Sequence, residues 1–524
     1  MVTLTYRPPW PSRLAFAGAS ALAIAALGWW RLPFILHDHG GWGVILWTIT
    51  ALLAGTGPLL LEYAVGDVLQ RAWPEALRQI ARPLRFAGWL GVAAAGLVAV
   101  LLAGGLAWTL VVMTELILGA GTPAHDLPID HARVALAVAT GQHGPLRFQG
   151  GAVIGLLLTA LALFLIVRGG IAAIGRFALI ALPIAAVLVL TLAGIVLSRP
   201  GTGLEAGLRP VADPWGLVAD LGLAVLPGLG AGLACHGALA RRLERGRDLT
   251  GLAMVAIPVG ALAALGLALL TATALTNAGP GFLSGSGIAP SPLLLAAGIP
   301  LAFAAAFTPT VATLASLTWL IAASLLAFGG LAVVLEGVVA ALEERWPSGR
   351  ERITAWICCL GVFATLPMTS NRVGDLCGIG WEIASWTAVV SLALVTGGLA
   401  LSGGLEPLRR HLDAHSALRL GRWWTPLLGI AVPSAVLLAA AARLWSGTSV
   451  TSAPMAGWWP AIASLVVLVA AAVVAGARLA HGPEPVDPNA VTLENYDPID
   501  FDTDGETRAR ITRTGTDPGT RPGI

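Results

Sequence analysis

Three ionisable residues sit in stretches of chain that are otherwise almost wholly apolar. Glu62 lies in Leu59-Leu60-Leu61-Glu62-Tyr63-Ala64-Val65, His236 in Leu233-Ala234-Cys235-His236-Gly237-Ala238-Leu239, and Glu336 in Val333-Val334-Leu335-Glu336-Gly337-Val338-Val339. Inside hydrocarbon such groups are costly, so each is a functional candidate by default. Carboxylates and imidazole are the types that carry protons. Their plainer uses are structural: an acid that receives freed backbone N–H groups, and a histidine that makes one interhelical hydrogen bond. Asp38 and His39, with Asp130 and His131, have the right types for an outward-facing acid–base group, but nothing in their spacing fixes a mutual geometry. There is no G-x-S-x-G elbow, no His-Glu zinc helix and no G-x-x-x-x-G-K-[ST] phosphate loop, and Ser284-Gly285-Ser286-Gly287 reads as a flexible loop. Cys235, Cys358, Cys359 and Cys377 lack zinc-ligand spacing, so free thiols and no metal site are expected. The chain is not expected to be an enzyme, and no cofactor is implied beyond a coupling ion.

The elements that must position these residues follow from composition. Of 524 residues, 56% are hydrophobic and 11% charged, against about 25% charged in a soluble domain. A soluble core stops growing beyond about 250–300 residues, so no soluble fold of this length hides so much hydrocarbon. A soluble enzyme, a nucleic-acid binder and a disordered scaffold are excluded, and an all-α polytopic membrane protein remains. The 31 basic and 29 acidic residues give a net charge of +2, which is too even to suggest a polyanionic partner, and every basic residue is Arg.

A crossing needs about 20 apolar residues. Twelve spans are predicted, near 14–36, 42–66, 86–118, 150–167, 171–197, 214–240, 250–276, 312–343, 353–370, 378–404, 424–445 and 457–480. The run from Leu14 imitates a signal peptide after Arg7 and Arg13, but it continues into Trp29-Trp30-Arg31-Leu32-Pro33 and is expected to be retained. With the N-terminus in the cytoplasm, nineteen arginines from Arg7 to Arg422 fall inside, and seven fall outside (Arg31, Arg133, Arg147, Arg199, Arg209, Arg372 and Arg443). Both termini are then cytoplasmic, in an inner (plasma) membrane. The outer loop 119–149 is expected to hold a short helix around Asp130-His131-Ala132-Arg133, and His481–Ile524 a disordered cytoplasmic tail.

Two spans carry interruptions: Ala21–Gly28 ahead of Arg31 and Pro33, and Leu226-Pro227-Gly228-Leu229-Gly230-Ala231-Gly232. Proline removes a helical hydrogen bond and glycine eases departure from the helix. Broken helices in corresponding positions of two halves point to a transporter's midplane site, although glycine also serves simple close packing.

Several stretches resemble the neurotransmitter:sodium symporter family. They are Trp10-Pro11-Ser12-Arg13-Leu14, Trp30-Arg31-Leu32-Pro33-Phe34 with Asp38-His39-Gly40-Gly41, Gly57–Gly66, Ile166-Val167-Arg168-Gly169-Gly170 with Arg176-Phe177-Ala178 and Pro183, and Leu335-Glu336-Gly337-Val338-Val339-Ala340. The likeness runs in family order over about residues 10–400. It implies a LeuT-type fold with a 5+5 inverted repeat. A cytoplasmic N-terminus 1–13 precedes repeats 14–197 and 198–404, and two further helices in 405–480 lead to the tail 481–524. By the same resemblance Glu62 braces the break in the sixth helix. Arg31 is the outer-gate arginine, with Glu382 as its acid and Asp375 as the competitor.

The departures from that family matter as much. Gly28, Val225, Gly329 and Gly330 stand where it places oxygen-bearing sodium ligands, and Leu102 stands where a tyrosine meets substrate. Backbone carbonyls of Ala21, Ala23, Ile24 and Leu326 remain as ion ligands. The matched solute positions are Leu22, Ala23, Ala25, Ala26, Leu102, Ala224, Val225, Pro227, Gly230 and Gly330, an apolar set. The expectation is a secondary transporter moving a small, rather apolar solute by alternating access. Sodium is the ion by resemblance, and a proton handled by Glu62, Glu336 or His236 is the alternative. A degenerate member that no longer transports and a membrane-embedded enzyme, such as a lipid-linked glycosyltransferase, are the competing classes. The expected partners are a small-molecule solute and the lipid bilayer, with no nucleic acid.

Overall fold

The computed structural model describes residues 10–119, 147–197, 214–244, 246–277, 292–346, 348–371 and 373–446. The expected twelfth span, the tail, and Asp130 with His131 lie outside them. Sixteen helices account for most of what is described: α1 Arg13–Gly28, α2 Leu32–Leu53, α3 Thr56–Leu69, α4 Trp73–Ile80, α5 Leu84–Gly119, α6 Gly150–Arg168, α7 Gly170–Leu197, α8 Pro214–Gly228, α9 Cys235–Ala240, α10 Leu249–Asn277, α11 Pro292–Ala306, α12 Pro309–Arg345, α13 Arg350–Thr365, α14 Val373–Leu401, α15 Leu405–His415 and α16 Val432–Ser446. Among the described residues nine helical stretches are long and apolar enough to cross a membrane, and α1 and α8 are shorter apolar helices. With no strand among them to satisfy backbone groups in lipid, this is an all-α polytopic membrane protein.

Burial sorts the helices. In α12 and α5, 78% and 72% of the apolar window is buried within the protein, against 22% in both α7 and Trp424–Ala442. The first pair forms the interior and the second faces lipid, with Ile180, Val187 and Leu190 of α7 exposed. At the centre stands α1, whose residues from Ala15 to Gly28 are all buried. Ser12 opens it by accepting the Ala15 N–H at 3.0 Å.

Small residues let α1 approach its neighbours closely, the usual device where lipid removes the hydrophobic drive between helices. A Cβ on Gly330 of α12 would stand 2.1 Å from Ala26 Cβ, and one on Gly329 would stand 2.5 Å from Leu22 Cδ1. On the other side, a Cβ on Gly260 of α10 would stand 2.7 Å from both Ala21 O and Ile24 Cβ.

The first crossing differs from the sequence expectation. Helix α1 runs unbroken through Ala21–Gly28, and the ladder lapses only at Trp29–Arg31. Alanines are the best helix formers, so nothing there favours unwinding. The lapse belongs to Pro33, which has no N–H for the Trp29 carbonyl and crowds it. Trp29 and Arg31 both keep right-handed dihedrals. The carbonyls of Ala21, Ala23 and Ile24, expected as ion ligands, are therefore inside a continuous helix, and Leu326 likewise lies within α12. The sharper change of direction comes at Gly40 (φ 65°, ψ −163°), a conformation that glycine alone takes readily.

On the end rich in arginine, α15 is amphipathic and is pinned to α3. His411 Nε2 lies 2.9 Å from Asp67 Oδ2, with both side chains buried. Glu406 in its first turn takes Arg409 at 2.7 and 2.9 Å, and Arg410 at 3.2 Å. Those guanidiniums, Arg409 before Arg410, pull its carboxyl down to about 2.

Two outcomes follow. Gly330→Val should lower the melting temperature of the purified protein by several degrees, because overpacking a tight seam costs about 1–3 kcal/mol. Gly96→Val, where a Cβ meets nothing within 4 Å, should leave it nearly unchanged. A carboxylate held below its unfolded value stabilises above that value and loses this as pH falls. Amide exchange across 405–415, corrected for intrinsic rates, should therefore rise between pH 4.5 and about 2, and Glu406→Gln should flatten that dependence.

Candidate functional site

The sixth crossing is interrupted. Helix α8 ends at Gly228, and α9 begins at Cys235. Between them Gly230 (φ 78°), Gly232 (φ 83°) and Ala234 (φ 60°) are left-handed. The first two are inexpensive as glycine. Ala234 is strained by about 1–2 kcal/mol, so its surroundings must hold it there.

Glu62 does much of that holding. Its Oε1 accepts the Gly232 N–H at 2.8 Å, and its Oε2 accepts those of His236 at 3.2 Å and Gly237 at 3.4 Å. Glu62 thus receives three backbone donors from the break and the helix after it. It lies on α3, and a Cβ on Gly66, one turn further along, would stand 2.4 Å from Gly237 O. Glycine there lets the two backbones meet.

A second polar string runs beside the brace. Tyr63 Oη and Ser20 Oγ are 2.5 Å apart, Ser20 Oγ and His236 Nδ1 are 3.0 Å apart, and His236 Nε2 is 2.7 Å from Leu229 O. Leu229 O can only accept, so Nε2 carries a hydrogen. In a neutral ring Nδ1 then accepts from Ser20, which accepts from Tyr63. With a second proton the string reverses. Sequence reading singled out His236 but missed Ser20 and Tyr63, because a hydroxyl carries no signal until the fold gives it a partner.

Ion pairs close both ends. At the arginine-rich end Arg350 engages both oxygens of Glu336, lies 3.5 Å from Glu343, and donates to Val167 O at 2.6 Å. Arg241 pairs with Glu343 at 3.3 Å and Glu344 at 3.2 Å, and Glu344 also receives the Ala72 N–H at 2.7 Å. Glu336, a candidate proton carrier by sequence, is a buried partner of Arg350. At the opposite end Arg31 Nη2 lies 3.6 Å from Asp220 Oδ1, and His39 Nε2 lies 3.1 Å from Asp220 Oδ2. Glu382, the acid expected for Arg31, accepts from Trp386 Nε1 at 3.2 Å. Asp220 was readable in principle, as a lone acid in the apolar run of span six.

The expected solute positions are all buried; several take part in close helix contacts and others line two narrow cavities. Gly28 and Gly228 let α1 and α8 meet backbone to backbone, with 3.5 Å from a Cβ on Gly228 to Gly28 Cα. Leu22, Ala23 and Ala26 pack on Gly329 and Gly330. Ala224 and Pro227 line a narrow cavity with Leu27, Trp30, Arg31, Val98, Leu223, Gly228, Trp381 and Ser385. Leu102 lines another with Trp29, Gly105, Leu106, Thr109, Ala296, Trp319, Ala323, Ser324 and Ala327. No cluster of three metal-ligating side chains occurs among the described residues. The geometry is that of a bundle closed at both ends round one unwound segment, with apolar cavities on the Arg31 side.

No family model matches the chain. It is similar to an uncharacterized sodium-dependent transporter of Methanocaldococcus jannaschii, at 25% identity over 465 residues, covering 85% of this chain and 92% of that protein.

Glu62→Gln should test the brace. The amide would set an NH2 group against one or two backbone N–H donors, leaving buried donors unmet at about 1–3 kcal/mol each. The expected result is a lower melting temperature and faster amide exchange over 229–237, while Asp67→Asn leaves exchange in that segment unchanged.

Proposed function

We propose that this protein is a sodium-coupled secondary transporter that moves a small, rather apolar solute by alternating access. The observation that carries the reading is the unwound segment Leu229–Ala234, held by Glu62 between two ionic closures. A helix broken inside a membrane bundle leaves backbone groups for a ligand, and paired charges at each end can part and re-form in turn. Similarity to a sodium-dependent transporter over most of both chains supports the ion and the class. The apolar lining on the Arg31 side supports the solute. Sodium would depend on backbone oxygens here, since Gly329 and Gly330 offer no side chain.

One observation favours a proton as the coupling ion instead. The Tyr63–Ser20–His236 string reverses direction when the ring gains a proton, and it ends on Leu229 O in the unwound segment.

Uptake into proteoliposomes separates these readings. With radiolabelled leucine, phenylalanine or isocaproate, at least one label should accumulate under an inward sodium gradient at equal pH, and accumulation should collapse when the gradient is dissipated. Accumulation that follows a pH gradient, ignores sodium and is lost in His236→Gln would replace sodium by the proton. No accumulation of any apolar solute under either gradient would sink the transport reading.

A further inference from the structure

The cavity beside Arg31 has a one-sided polar chemistry. Trp30 and Trp381 pack against each other in its wall with ring centroids 4.4 Å apart, and each is about 96% buried or more. The indole N–H of each has no hydrogen-bond acceptor among the described residues. Buried donors normally find one, so two in a single cavity wall call for an explanation. The third polar group is the Arg31 guanidinium, which adds further donors and a positive charge. The fourth is Ser385, whose hydroxyl both donates and accepts. Among the described residues no carboxylate, side-chain amide or imidazole lines this cavity, and the rest of its described wall is apolar. Asp220 stands beyond Arg31, already shared between Arg31 and His39.

We infer that this cavity takes the head group of an apolar carboxylate that carries no ammonium, with Arg31 and the N–H groups of Trp30 and Trp381 supplying its hydrogen bonds. The inference rests on the transporter reading above and names the solute class. A carboxylate brings acceptor lone pairs to a wall whose polar groups, apart from the Ser385 hydroxyl, can only donate, and its bonds to Arg31 are charge-assisted. An ammonium brings three more donors and a like charge. To be held it would need Asp220, which would then have to leave Arg31 and His39. A zwitterionic amino acid satisfies the donors at one end and strands its ammonium at the other.

Three molecules with one branched tail decide the matter: isocaproate, leucine and isoamylamine. Equilibrium binding of radiolabelled isocaproate to the full-length protein in detergent, with saturating sodium, should be competed by unlabelled isocaproate best, by leucine about tenfold less well, and by isoamylamine least. Arg31→Gln should weaken isocaproate by about tenfold or more. Trp381→Phe keeps a ring on Trp30 and deletes one N–H, and it should weaken isocaproate several-fold. Melting curves of both variants without ligand establish that they fold. Equal competition by isoamylamine, unchanged affinity in a folded Arg31→Gln, or no isocaproate binding at all would overturn the inference. Sodium-driven uptake of a different apolar solute would leave the transporter reading standing in each of those cases.

Discussion

Unwinding a helix inside a bilayer releases N–H groups that have no water to turn to, and here one carboxylate receives three of them. The dependence runs in both directions. Without Glu62 the unwound segment and the first turn of α9 would hold unpaired donors in a low-dielectric interior. Without those donors Glu62 would be a buried acid with no partner, which hydrocarbon does not tolerate. The pairing also fixes α3 against α9, and that contact sets Tyr63 and His236 on either side of Ser20 from α1. Three crossings are thus held in one register by polar groups that lipid cannot replace.

Away from that point the helices are held differently. The centre is packed through glycines and alanines, in seams so close that a methyl group would collide with the facing helix. The ends are held by charge. Lipid solvates an apolar helix face about as well as another helix does, so parting apolar surfaces costs little beyond lost packing. What resists opening is the set of ion pairs: Arg350 with Glu336 and Glu343, Arg241 with Glu343 and Glu344, and Asp220 with Arg31 and His39. Water reaching either end would weaken its pairs by screening.

Features with a local cause were legible in the sequence. The spans follow from runs of apolar residues, and the sixth break follows from Pro227, Gly230 and Gly232, whose chemistry favours leaving a helix. Glu62 stood out because an acid within three leucines demands a reason. The unbroken course of α1 was misread: the helix-forming weight of its alanines outlasts Gly28, and the lapse comes only opposite Pro33. Pairings between distant segments were the other loss. Arg31 meets Asp220, and Glu336 meets Arg350, through tertiary placement that spacing along the chain does not encode. Ala234 in a left-handed conformation could not be anticipated either, since alanine avoids it unless neighbours impose it.

The seam between α1 and α12 bears directly on how an ion could act in such a bundle. Gly329 and Gly330 leave too little room for a methyl group against Leu22 and Ala26, so a cation with its shell of oxygens has no place there while the helices stand as they do. The nearby carbonyls of Ala21, Ala23 and Ile24 are turned along a continuous helix and bonded within it. An ion entering this seam must therefore part α1 from α12 and draw carbonyls out of helical alignment. With oxygen-bearing side chains at these positions an ion could bind to a preformed cage. In this chain, binding at the seam and displacement of α1 would be one event, and the affinity would include the whole cost of the movement.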